Sequence, residues 1–93
     1  MYFVYIMTNK INSTLYIGFT YDLKKRAFEH RTKLGSGFTK RYNLTKLVYY
    51  EFGEGRDGVL GREKEMKKWS RMKKERYITA FNPSWEDLYD SLD

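Results

Sequence analysis

Hydrophobic and polar positions change period several times along this chain, and each change marks an element. Residues 2–7, YFVYIM, are apolar throughout and mostly aromatic or β-branched, and residues 14–20, TLYIGFT, form a second β-rich run. The segment between them, residues 9–13, is turn-like, so the two runs predict an antiparallel hairpin. Side chains alternate along a strand, which puts Leu15, Ile17 and Phe19 on one face and Thr14, Tyr16, Gly18 and Thr20 on the other. Tyr16 thus falls on the polar, small-residue face.

The period then lengthens. Asp22 can cap a helix running to about Leu34, with Leu23, Ala27, His30 and Leu34 on one stripe, and Gly35-Ser36-Gly37 ends it. Residues 46–52, KLVYYEF, predict a third strand, and the glycine-containing GEGRDG after it reads as a loop. A basic helix follows from about Asp57 to Trp69; Ser70 then caps another, RMKKERYITAF, which Asn82-Pro83 stops. The ending SWEDLYDSLD is acidic and has room for one short helix. This order describes an α+β fold in one domain over residues 1–93, with a core to about residue 82 and an acidic tail over 83–93. No internal repeat or low-complexity linker interrupts it.

Composition narrows the function classes. With 41% hydrophobic and 32% charged residues, the chain has the make-up of a folded domain. The 18 Lys plus Arg against 12 Asp plus Glu leave a formal charge of +6, which favours anionic partners, nucleic acid first. No cysteine is present, so disulfides and thiolate metal sites are excluded. The start MYFVYIMTNK lacks the features of a secretory leader, and no apolar run approaches the roughly 18 residues of a membrane span. The expectation is a soluble, cytoplasmic protein with no membrane association.

Some polar residues fall where apolar ones belong. In the first helix His30 lies within the stripe of Leu23, Ala27 and Leu34, and Arg26, one turn earlier, lies on its edge. In the basic helix Val59, Leu60 and Met66 form the apolar stripe with Glu63 in its middle, whereas Glu65 points the other way. A carboxylate there needs an ion pair with a neighbouring Lys or Arg, or a divalent metal. Cations gather in two groups, Lys24, Lys25, Arg26, Arg31, Lys33, Lys40, Arg41 and Lys46, and residues 62–76 including Arg62 and Lys67. Both are interleaved with aromatics such as Phe38, Tyr42 and Trp69, the pattern of a phosphate-binding surface.

In order along the chain, FVYI, LYIG, RAFEH on a helix and a glutamate on a later helix resemble the GIY-YIG nuclease superfamily, and most closely its small single-domain members. The resemblance extends through REKEMKKWSRMKK to FNPSWEDL. It implies a three-stranded antiparallel sheet flanked by helices, in agreement with the elements above, and metal-dependent endonuclease hydrolysis of phosphodiester bonds. By motif, Tyr5 and Tyr16 match the two tyrosines, Gly18 the closing glycine, Arg26 and His30 the helix motif, Glu63 the metal-binding glutamate and Asn82 a C-terminal asparagine. The implied cofactor is Mg²⁺ or Mn²⁺ on Glu63, and the implied partner is nucleic acid, DNA before RNA, with single-stranded or branched forms favoured. A partner protein could supply specificity.

The general base stays open between readings. The resemblance favours Tyr5 or Tyr16 with His30 in support, whereas ordinary pKa values favour His30. Competing functions are a non-catalytic nucleic-acid-binding module and a protein-interaction domain. Glu63 separates them, because a negative charge facing phosphate makes sense only with a metal.

Overall fold

In the computed structural model, which describes residues 1–34 and 37–92, the hairpin forms as its pattern predicts. Strand β1 (Tyr2–Thr8) pairs antiparallel with β2 (Leu15–Thr20), and β3 (Lys46–Gly53) pairs antiparallel with the other edge of β1. The sheet is three-stranded in the order β2-β1-β3. β1 is central and therefore buries both its faces, which explains its unbroken apolar run. Asn9 closes the turn, its side-chain oxygen accepting from the Ser13 amide at 2.8 Å.

Alternation divides the core into two layers. Val4, Ile6, Ile17, Val48 and Tyr49 cluster with Val59 and Met66 of α3 (Arg56–Lys67), Ile78 of α4 (Arg71–Phe81) and Trp69 between the two helices. On the opposite face Tyr5, Met7 and Leu47 meet α1 (Leu23–Arg31) through Leu23 and Ala27. Leu44 belongs to this second layer, and so do the partly buried Leu88, Tyr89 and Leu92 of the C-terminal segment. Among the described residues no helix is long and apolar enough to cross a membrane.

Helix boundaries depart from the pattern in three places. Asp22 does cap α1, accepting from the Lys25 amide at 3.1 Å, but the helix stops at Arg31. Lys33 adopts φ 62°, and bonds from its amide to the His30 carbonyl and from the Leu34 amide to the Glu29 carbonyl complete a Schellman turn. Leu34, expected on the buried stripe, is consequently 73% exposed. Of the expected stop, Gly35 and Ser36 lie outside the described residues, while Gly37 opens a helix that carries no apolar period, α2 (Gly37–Arg41). A second Schellman turn, at Asn43 with φ 56°, ends α2. The expected loop over 53–58 is shorter than read, since α3 starts at Arg56 behind Gly55.

β3 carries a bulge. Ile6 faces Tyr49 but Met7 faces Leu47, so Val48 is an extra residue in that ladder. Asn82, just after α4, donates to the Val48 carbonyl at 3.1 Å and to the Glu86 carbonyl at 2.8 Å, and its own oxygen accepts from the Glu86 amide. The chain beyond it runs along the open edge of β3, where the Leu88 amide reaches the Leu47 carbonyl and Asp87 accepts from the Leu47 amide. That edge is thereby covered.

Candidate active site

The site grows from a register. Tyr5 on β1 stands opposite Gly18 on β2, and its phenol passes over the glycine toward the sheet edge. A Cβ at Gly18 would lie 2.8 Å from Cε1 of Tyr5 and closer still to the phenolic carbon and oxygen. Only glycine leaves the ring this path. Tyr16, two residues before Gly18, shares its face, with its ring centroid 6.3 Å from that of Tyr5.

Helix α1 supplies two more groups. His30, buried on the stripe with Leu23 and Ala27, sets its Nε2 3.0 Å from the Tyr5 hydroxyl, and its ring lies 5.7 Å from those of both Tyr5 and Tyr16. Arg26, one turn back, faces the same hydroxyl, and each favours the other's charged form. Glu29, absent from the sequence-based site, holds Arg26 by an ion pair at 3.1 Å; its i+3 spacing from Arg26 was the available signal.

Burial governs the protonation states. It lowers the His30 pKa to about 4, with the Arg26 charge adding to the effect, so the imidazole is neutral at physiological pH. Burial also raises Tyr5 well above the usual tyrosine range, assisted by Tyr16 and Glu63 and opposed by Arg26. Nδ1 of His30 is buried with no hydrogen-bond partner among the described residues. A bare acceptor is tolerated better than an orphaned N–H, which favours the tautomer with Nε2–H donating to Tyr5.

Glu63 projects from α3 with its side chain 14% exposed, close enough for its charge to bear on Tyr5. Lys67 pairs with it at 3.1 Å. The donor set is one hard carboxylate whose charge reaches the Tyr5 phenol, and no group of three His, Cys, Asp or Glu gathers among the described residues. Such a set fits a hard divalent cation that keeps most of its shell as water and substrate oxygen.

The expected phosphate contacts divide sharply. Arg62 is engaged elsewhere, forked onto Glu51 at 2.8 and 3.0 Å, bonded to Glu65 at 3.1 Å and lying over Trp69. Arg31 pairs with Asp90 at 3.2 Å and Asp87 at 3.9 Å, and Lys24 donates to the Leu92 carbonyl at 2.9 Å. Acidic side chains, or the C-terminal segment, thus already engage these three cations. Lys67 is held at Glu63. Lys25, Lys40, Arg41 and Lys46 have no carboxylate partner among the described residues. Asn82 has its side-chain polar atoms bonded to backbone at the β3 bulge, where it acts as a clamp.

A three-stranded α+β sheet that brings two cross-strand tyrosines, an Arg-His helix and a helical glutamate together defines a class of catalytic domain. The profile of the GIY-YIG catalytic domain matches residues 1–77, and the chain belongs to that nuclease family. Its relatives there are small proteins named UPF0213. One from Syntrophus aciditrophicus is 41% identical over 73 residues, 77% of this chain and 83% of the relative. Another from Staphylococcus saprophyticus is 35% identical over 78 residues, 84% and 94% of the two chains. The solution NMR structure of a UPF0213 protein from Bacillus halodurans is similar at TM-score 0.54 and 28% identity, covering 86% of this chain and 85% of that one.

Proposed function

We propose that this chain is a metal-dependent endonuclease that hydrolyses phosphodiester bonds of DNA, single-stranded or branched, through direct attack of water. The observation that carries this reading is the meeting of Tyr5, His30 and Arg26 at one phenolic oxygen, with Glu63 electrostatically coupled to it. A binding module has no use for a mostly buried carboxylate beside its phosphate contacts.

Attack requires removal of a proton from water, and Tyr5 is the base in this reading. His30 Nε2–H and Arg26 both favour the phenolate by donating to or facing its oxygen. Burial opposes them, so phenolate is scarce in the resting protein. Arg26 also meets the charge that develops on the phosphoryl oxygens, a contact whose loss typically costs about 3 kcal/mol of barrier. Tyr16, diagonal to Tyr5 on the adjacent strand, orients the attacking water or the phosphate. Glu63 would hold Mg²⁺ or Mn²⁺, which when bound stabilises the leaving oxygen and offsets the glutamate charge that burdens Tyr5. Residues 1–93 act as one domain in this reading, and the lack of cysteine suits a reducing, cytoplasmic setting.

The test is cleavage of labelled single-stranded, duplex and branched DNA, and of RNA, with Mg²⁺, Mn²⁺ or EDTA, comparing wild type with Glu63→Gln. Metal-dependent products absent from the variant are expected. Binding without cleavage in every condition would overturn the enzyme reading in favour of a binding module.

A further inference from the structure

Helix α2 lays a line of rings outward from the site. The Tyr16 ring lies 6.3 Å from Tyr5, Phe38 lies 5.9 Å beyond Tyr16, and Tyr42 lies 4.8 Å beyond Phe38. The line begins at a buried phenol and ends in solvent, with Phe38 48% and Tyr42 42% exposed. Scattered exposed aromatics are ordinary on a protein surface. This pair differs in being continuous with the tyrosine site and in its charged setting. The Arg41 guanidinium lies 5.6 Å over Tyr42, and neither Arg41 nor Lys40 has a carboxylate partner among the described residues. Buried Thr39 and Leu44 fix the short helix to the body, so the rings are presented on an anchored backbone.

We infer that Phe38 and Tyr42 form a stacking subsite for unpaired nucleobases of the strand whose phosphate lies at Tyr5, Tyr16 and Arg26, with Lys40 and Arg41 holding the adjoining phosphates. This inference rests on the nuclease reading and adds to it the place where the bases sit. In a duplex each base face is covered by its neighbours, so exposed rings in a cationic setting select strands whose bases are free. Stacking tolerates any base, since every base has a π face, and the subsite therefore reads strand state and not sequence.

The experiment measures binding by fluorescence anisotropy in EDTA, with short oligothymidylate, the same strand carrying reduced abasic sites, a duplex, and an RNA strand of equal length. Phe38→Ala and Tyr42→Ala should each weaken binding of the intact strand roughly five- to hundredfold, while Phe38→Trp retains it. The abasic strand should bind wild type and Phe38→Ala alike, a result that a merely structural lid over Tyr16 would not produce. The RNA arm separates a DNA strand from any unpaired strand as the occupant. Equal losses on intact and abasic strands, or no loss in variants that melt like wild type, would overturn the subsite. Cleavage by wild type in that case leaves the nuclease reading standing. Base-dependent stacking without cleavage would instead sink the nuclease reading alone, and no strand binding by wild type would overturn both.

Discussion

The phenol of Tyr5 occupies the space that a side chain at Gly18 would fill, the two residues being direct partners across β1 and β2. The glycine is thus a condition for the tyrosine's aim at His30. Gly18→Ala should lower stability by about 1–3 kcal/mol, as inserting a methyl into a packed site does. Cleavage should fall about a hundredfold, because small misplacements of a reacting group are that costly. Thermal melts and single-turnover cleavage measure the two effects, and full activity in this variant would refute the role given to the register.

His30 makes folding sensitive to acid. Its pKa in the folded protein, about 4, lies below the ordinary value of 6.5, so the unfolded chain binds a proton that the folded chain refuses. Its stabilising contribution is complete above pH 6.5 and is lost as the pH falls through about 4. His30→Gln should flatten the decline between those limits. Urea titrations at pH 7, 5.5 and 4.5 would reveal an unchanged slope if the histidine is not responsible.

Lys67 competes with a cation for Glu63. The pair is an i,i+4 contact at 3.1 Å with the lysine half exposed, and such pairs are worth about 0.3–0.5 kcal/mol. Lys67→Met should therefore lower the half-saturating Mn²⁺ concentration about twofold in a titration followed by electron paramagnetic resonance. Weaker Mn²⁺ binding would mean that the lysine assists the site.

Two arginines that look alike in the sequence should behave differently. Arg62→Ala breaks the fork to Glu51, whose oxygen also accepts from Tyr49, and should destabilise the fold by about 1–3 kcal/mol. Its effect on the salt dependence of strand binding should be small. Arg41→Ala should leave stability nearly unchanged and reduce the slope of log affinity against log salt by about 0.7. Reversed outcomes would move the phosphate track to α3.

Asn82→Asp tests the clamp on the β3 bulge. The amide donates to the Val48 and Glu86 carbonyls, and a carboxylate would face both with no proton to give. Asn82→Ala should cost about 1–3 kcal/mol and Asn82→Asp more. Equal denaturation midpoints for the aspartate variant and wild type would show the clamp to be idle.

Where the physics is local, the sequence alone was enough. Aromatic and β-branched runs located the strands, Asp22 and Ser70 announced helix starts, and the stripe positions of His30 and Glu63 singled them out. The motifs carried the family. Helix ends were harder, since the stop at Lys33 depends on a left-handed backbone turn that lysine seldom adopts and α2 has too few residues for a period.

Only the tertiary structure decided which cations meet a carboxylate among the described residues. Arg31 and Arg62 carry the same charge as Lys40 and Arg41, yet the first two meet Asp87, Asp90 and Glu51 from distant segments and the second two do not. It also decided that Tyr5, in a strand apolar on both faces, sends its oxygen past Gly18 to His30, and that Asn82 serves the bulge at Val48. Strand period and capping arise between residues a few positions apart, whereas charge pairing and side-chain aim depend on which elements meet. That meeting is fixed by the packing of the whole chain.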